Sequence, residues 1–115
     1  MKLHNYTPHK IRIFKQDGSF TEFESTGVAR VRTHEKDSKT KHGIQFCTVV
    51  DEVVEGLPEP KKNHYYIVSS MVQMASDRTD LLSPTDFVRN HNGVRTGCRR
   101  LRERRLEVEN EHKAS

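Results

Sequence analysis

The chain has 115 residues, of which 32% are hydrophobic and 31% charged, so it holds one domain with a small apolar core. No run approaches the roughly 20 apolar residues of a spanning helix, which excludes a helical membrane protein. A net charge of +4 leans toward anionic partners without demanding nucleic acid.

Residues 1–15 alternate polar and apolar and lack the continuous apolar stretch of a signal peptide. Cys47 and Cys98 lie far apart in the chain. Together these features predict a cytoplasmic protein with two free thiols. The scarcity of apolar residues also predicts that part of the burial occurs between subunits, in a homo-oligomer joined through β-edges or apolar contacts.

"HKIRIF", His9 to Phe14, alternates with Ile11 and Ile13 on one face. "FTEFEST" alternates again and places Phe20 and Phe23 near the core. The two runs surround Asp17-Gly18, which predicts a hairpin. "TGVARVRT" reads as a third strand with Val28 and Val31 as core candidates. "THEKDSKTKH", Thr33 to His42, holds no bulky apolar residue and reads as a mobile loop.

"GIQFCTVVDEVV", Gly43 to Val54, is β-branched and aromatic and predicts one long strand or a bent pair, with Cys47 as inert core. "EGLPEPKKNH" breaks regular structure through Gly56, Pro58 and Pro60. "YYIVSS" reads as a buried strand. A short helix follows, capped by Ser69 or Ser70, with Met71 and Met74 filling core gaps around Val72. Ser83 to Asp86 reads as a turn. "FVR" and "VRTGCRRL" flank Asn92-Gly93 as a second hairpin, with Cys98 the more exposed cysteine.

The sum is a β-rich α+β domain over residues 1–101. It is a small curved sheet or barrel of about six or seven strands with one short helix. Residues 102–115 form a charged tail, expected to be flexible from Glu107 onward.

Taken in order, "LHNYTPHKIRIF", "GLPEP", "YYIVSSMV", "RTDLLSP" and "VRNHNGVRTGCRRL" resemble a family of small proteins found in bacteriophages and bacterial genomes. The resemblance runs from Leu3 to Leu101. It implies a phage-type or bacterial setting, and hence a host cytoplasm if the chain is phage-encoded. It carries no mechanism.

The seven histidines form no HExxH and the cysteines no CxxC, so no metal site is expected. Ser69 and Ser70 lack the flanking glycines of a nucleophile elbow. Asp51, Glu52, Asp77 and Asp80 are scattered, and no Gly-rich phosphate loop is present, so neither catalysis nor a cofactor is indicated.

What remains is cationic. Pro8 fixes its own φ and extends Thr7, which presents His9 rigidly at the start of a strand. His9 serves either a ligand or the anchoring of the N-terminal strand. Arg78, Arg89, Arg95 and Arg99 are the arginines set to bind an anion, because guanidinium forks match phosphate bidentately. Arg89 and Arg95 lie across the second hairpin if it forms. The competing reading is a solvated face paired to Asp77, Asp80 and Asp86. The outer arginines, up to Arg105, turn at once into the acidic run Glu107, Glu109 and Glu111, unlike a nucleic-acid arm.

The reading that follows is a non-catalytic binding protein for a phosphate-bearing small molecule such as a nucleotide, in one form a sequestered signalling nucleotide. The alternatives are an interaction module for a host or phage protein and, on charge alone, a nucleic-acid binder.

Overall fold

The computed structural model describes residues 1–104. The expected flexibility of residues 107–115 lies outside the described residues. Eight strands and one helix follow in chain order: β1 (Lys2–Asn5), β2 (Ile11–Phe14), β3 (Phe20–Phe23), β4 (Arg30–Lys41), β5 (Ile44–Glu55), β6 (His64–Ile67), α1 (Ser70–Met74), β7 (Leu81–Arg89) and β8 (Arg95–Glu103). Six strands form one sheet in the order β1-β6-β7-β8-β2-β3, and β4 with β5 forms a separate ribbon. The β-rich α+β class read from the sequence is the observed one.

The sheet curves until its edges nearly meet. A bridge between Asn5 and Ser25 links β1 to the chain leaving β3. The Thr26 amide donates to the Asn5 carbonyl at 2.9 Å, and Asn5 Nδ2 donates to the Phe23 carbonyl at 2.9 Å. Ile67, Val68 and Leu81 are fully enclosed, and Tyr66, Ala29, Val72, Leu82 and Cys98 are buried as well. "YYIVSS" supplies Tyr66, Ile67 and Val68 of this as a buried strand.

Both Asx-Gly sites make hairpins. At the second, the Asn90 amide donates to the Val94 carbonyl at 2.9 Å and the Gly93 amide donates to the Asn90 carbonyl at 2.9 Å. Gly93 has φ 80°, so this is a three-residue loop closed by a left-handed residue. Asn90 Oδ1 also accepts from the Asn92 and Val94 amides. The hydrogen bonds of Lys15, Gly18 and Ser19 repeat the arrangement at the first.

Several expectations are corrected. Thr33–His42 is not a loop but most of β4, paired with β5 from Arg30↔Glu55 to Lys41↔Ile44 with register shifts after His34 and after Asp37. His42 and Gly43 both take positive φ, 54° and 75°, the requirement of a tight two-residue hairpin turn. The β-forming partner strand recruits a polar segment whose side chains pair across it, as Arg32 does with Glu55. The strand count therefore rises to eight.

Ser83–Asp86 lies inside β7, with Pro84 opposite Leu101, and turn-like backbone survives only at Asp86, φ 56°. Arg102 and Glu103 pair with Ser83 and Leu82, so the sheet runs two residues past the expected boundary at Leu101. Met71 and Met74 do not fill the core; they are 71% and 84% exposed, because so short a helix turns only Val72 and Gln73 inward. The cysteines exchange roles. Cys47 is exposed because β5 belongs to the freestanding ribbon, and Cys98 is buried because β8 lies between β7 and β2. Phe20, on the edge strand β3, is half exposed and covered by the Arg12 guanidinium at 4.2 Å.

Candidate anion-binding site

A solvent-open cavity of about 640 Å³ lies where the β1–β2 connection, the start of α1 and the strands β2, β7 and β8 meet. That volume is within the range of small-molecule sites.

The first wall is the Thr7-Pro8-His9 connection, and Asn5 holds it. This asparagine is 1% exposed. Its Nδ2 donates to the His9 carbonyl at 2.7 Å, while its Oδ1 accepts from the Thr7 amide at 2.9 Å and from Thr7 Oγ1 at 2.7 Å. Anchoring of the N-terminal segment thus falls to Asn5, and His9 lines the cavity.

The second wall depends on Gly97. A Cβ there would sit 2.7 Å from the Arg12 carbonyl and 2.8 Å from the Phe14 ring, so only glycine lets β8 approach β2 this closely. The third wall is fixed by Gln73. Its amide donates to the carbonyls of Leu81 (3.0 Å) and Arg102 (2.8 Å), and its oxygen accepts from Ser83 Oγ at 2.7 Å. This buried network ties α1 to β7 and β8 and sets Ser69 and Ser70 at the cavity rim.

The lining is cationic and hydroxylic: Lys10, Arg12, Arg95 and Arg102 with His9, and the hydroxyls of Thr7, Ser69, Ser70, Thr85 and Thr96. No carboxylate lines it among the described residues. Two of the cations are already neutralised. Arg12 pairs with Glu22 at 2.8 Å, and Lys10 lies 3.4 Å from Glu24 and 3.9 Å from Glu22. The other two have no carboxylate partner among the described residues. The Arg95 guanidinium lies over the Phe87 ring at 3.9 Å, and Arg102 donates to Thr85 Oγ1 at 2.9 Å.

Of the residues singled out from sequence, His9 and Arg95 reach this cavity. Arg78 sits elsewhere as a brace: it makes a two-pronged pair with Asp80 at 2.7 and 3.0 Å and donates to the Pro58 carbonyl at 2.7 Å. Its hydrogen bond to Asp80 raises an already high guanidinium pKa. Arg89 is the cross-strand neighbour of Arg95, as the hairpin requires, but donates to the Gly93 carbonyl at 2.8 Å. Arg99 lies 3.9 Å from Asp86. Sequence reasoning missed Lys10, Arg12 and Arg102. The signal for Arg102 was its place on the continued alternation of β8.

Nucleophilic groups near the cavity are otherwise engaged. Ser69 Oγ accepts from the Val72 amide as the helix cap, and burial pushes the Cys98 thiol up. A separate pair lies at the β1–β6 seam, where His4 Nε2 and His64 Nδ1 are 2.9 Å apart and stacked on each other. Among the described residues no three metal-ligating side chains gather, and no helix is long and apolar enough to cross a membrane. Compared with known protein families, curated proteins and solved structures, the chain matches none.

Proposed function

We propose that this chain is a non-catalytic binding protein for a phosphate-bearing small molecule such as a nucleotide, held in the cavity between β2, β7 and β8. The observation that carries the reading is the pair Arg95 and Arg102, two guanidiniums on one cavity with no carboxylate partner among the described residues. Guanidinium forks match phosphate oxygens bidentately, and the threonine and serine hydroxyls add neutral donors. Phe87 lines the same cavity and supports the Arg95 guanidinium from beneath, adding aromatic surface to the site. The engaged Ser69 and the buried Cys98 support binding over catalysis.

The resemblance to small phage and bacterial proteins adds a setting: a cytoplasmic protein of phage type that sequesters a signalling nucleotide. A protein partner is a second reading, favoured by the exposed apolar residues of β5. A nucleic-acid partner rests on charge alone and separates from a bound nucleotide by a steep loss of affinity with salt.

Calorimetry against a panel of linear and cyclic nucleotides tests the proposal. Arg95→Ala or Arg102→Ala is expected to weaken binding by about 1.5–3 kcal/mol, the value of hydrogen bonds to charged groups. Arg104→Ala, whose side chain pairs with the fully exposed Asp77, is expected to change it by less than about 1 kcal/mol. Absence of heat across the panel would sink the reading.

A further inference from the structure

We infer that β5 is a dimerisation edge, and that it pairs antiparallel with β5 of a second copy of this chain. The ribbon has only two strands, so each strand leaves one edge unpaired. Isolated two-stranded ribbons are marginal in water, and an open edge is a template for another strand.

The two edges are not alike. β4 carries Arg30, Arg32, Lys36, Lys39 and Lys41, the cations that protect an edge from pairing. β5 carries no lysine or arginine. It exposes Ile44, Phe46, Val49, Val50 and Val53 instead, each between 41% and 61%. Polar protection of one edge and apolar exposure on the other fit a surface that another strand covers.

The sequence of β5 also selects its partner. Two β5 strands that overlap over their full length, Ile44 to Glu55, set Phe46 opposite Val53 and bring Val49 and Val50 of both copies to the two-fold axis. In that register Asp51, Glu52 and Glu55 face Thr48, Cys47 and Ile44, so no two carboxylates meet. Registers centred on Asp51 or Glu52 place acid against acid, which is destabilising. Val50 has no partner in β4, since His34 pairs with Asp51 and Glu35 with Val49. This extra residue shifts the alternation by one and returns Phe46 and Val53 to the same face. Two-fold symmetry requires that match, since each contact must occur twice. A β5 strand therefore complements itself in apolar pattern and in charge.

Light scattering of the full chain at high micromolar concentration is expected to give twice 13.4 kDa. Val49→Lys and Val53→Lys, at positions exposed in the single chain, are expected to return it to 13.4 kDa with an unchanged circular dichroism spectrum. Glu52→Cys adds no charge to the strand and gives a readout independent of those variants. Under a mild oxidant it is expected to form an intermolecular disulfide with Cys47, which Cys47→Ser abolishes. Within one chain those positions are too far apart along an extended strand to bridge. A wild-type mass of 13.4 kDa overturns the inference. So does a dimer that persists in both lysine variants without a Glu52→Cys cross-link.

Discussion

His4 and His64 share a hydrogen bond that tolerates only one positive charge, because one ring nitrogen must accept. Burial lowers the His64 pKa below 6.5, and the neighbouring His4, Lys2, Lys61 and N-terminal ammonium lower it further. Well above pH 6.5 the imidazole is neutral in both folded and unfolded chains, so this residue costs the fold nothing. Below it the unfolded chain takes up the proton first, and stability falls until the depressed folded value is reached. Urea midpoints are therefore expected to drop between about pH 8 and about pH 5, and His64→Gln is expected to reduce that drop. A midpoint with the same pH slope in both proteins would refute the assignment. Asn5 teaches a complementary lesson. Nothing in "LHNYTPH" marks its asparagine as the organiser of the connection, because the groups it satisfies include the carbonyl of Phe23, eighteen positions away. The proline in that motif is visible to a reader of sequence; the buried amide that holds its neighbours is not.

At the scale of elements, α1 depends on one side chain. It is five residues long, too short to persist by itself. Gln73 fastens it to β7 and β8 through three hydrogen bonds, all to groups inside the fold. Gln73→Ala strands the carbonyls of Leu81 and Arg102 and the hydroxyl of Ser83. The expected loss is about 1–3 kcal/mol for each buried group left unsatisfied, read from denaturant midpoints at constant slope. A loss below about 0.5 kcal/mol would mean that water replaces the amide. The same helix shows where periodicity misleads. Met71 and Met74 have helical spacing and apolar character, yet the Ser69 cap sets a rotation that turns Gln73 inward in their place. The hairpins were legible because Asp17-Gly18 and Asn92-Gly93 act locally. The strand character of Thr33–His42 was not, because it comes from pairing with β5 and not from its own residues. Cavity residues divide in the same way. Arg95 was legible beside a turn, whereas Arg102 needed the knowledge that β8 continues past Leu101.

The whole molecule is a small barrel with an arm. Its radius of gyration is 18.0 Å and its extents are 55 × 44 × 33 Å, whereas a compact domain of this size has a radius near 13 Å. Val31 and Val54, at the base of the arm, pack against the core, while Thr33 to Val53 is exposed throughout. The cavity is lined only by residues of the six-stranded sheet, its connections and the start of α1. The proposed ligand site and the proposed dimer edge thus lie on separate parts, and removing the arm should divide them. Replacing residues 34–51 with Asn-Gly joins Thr33 to Glu52, which are already cross-strand partners, through a dipeptide suited to a two-residue turn. The shortened chain is expected to melt cooperatively, with a midpoint lowered by no more than about 4–8 °C, the shift that accompanies about 1 kcal/mol in a domain of this size. It is expected to keep the nucleotide affinity of the full chain and to lose dimerisation in light scattering. A broad, non-cooperative melt would show that the arm is integral to the core. A dimer that survives the excision would place the contact on the barrel, and the exposed edge of β5 would then need another occupant.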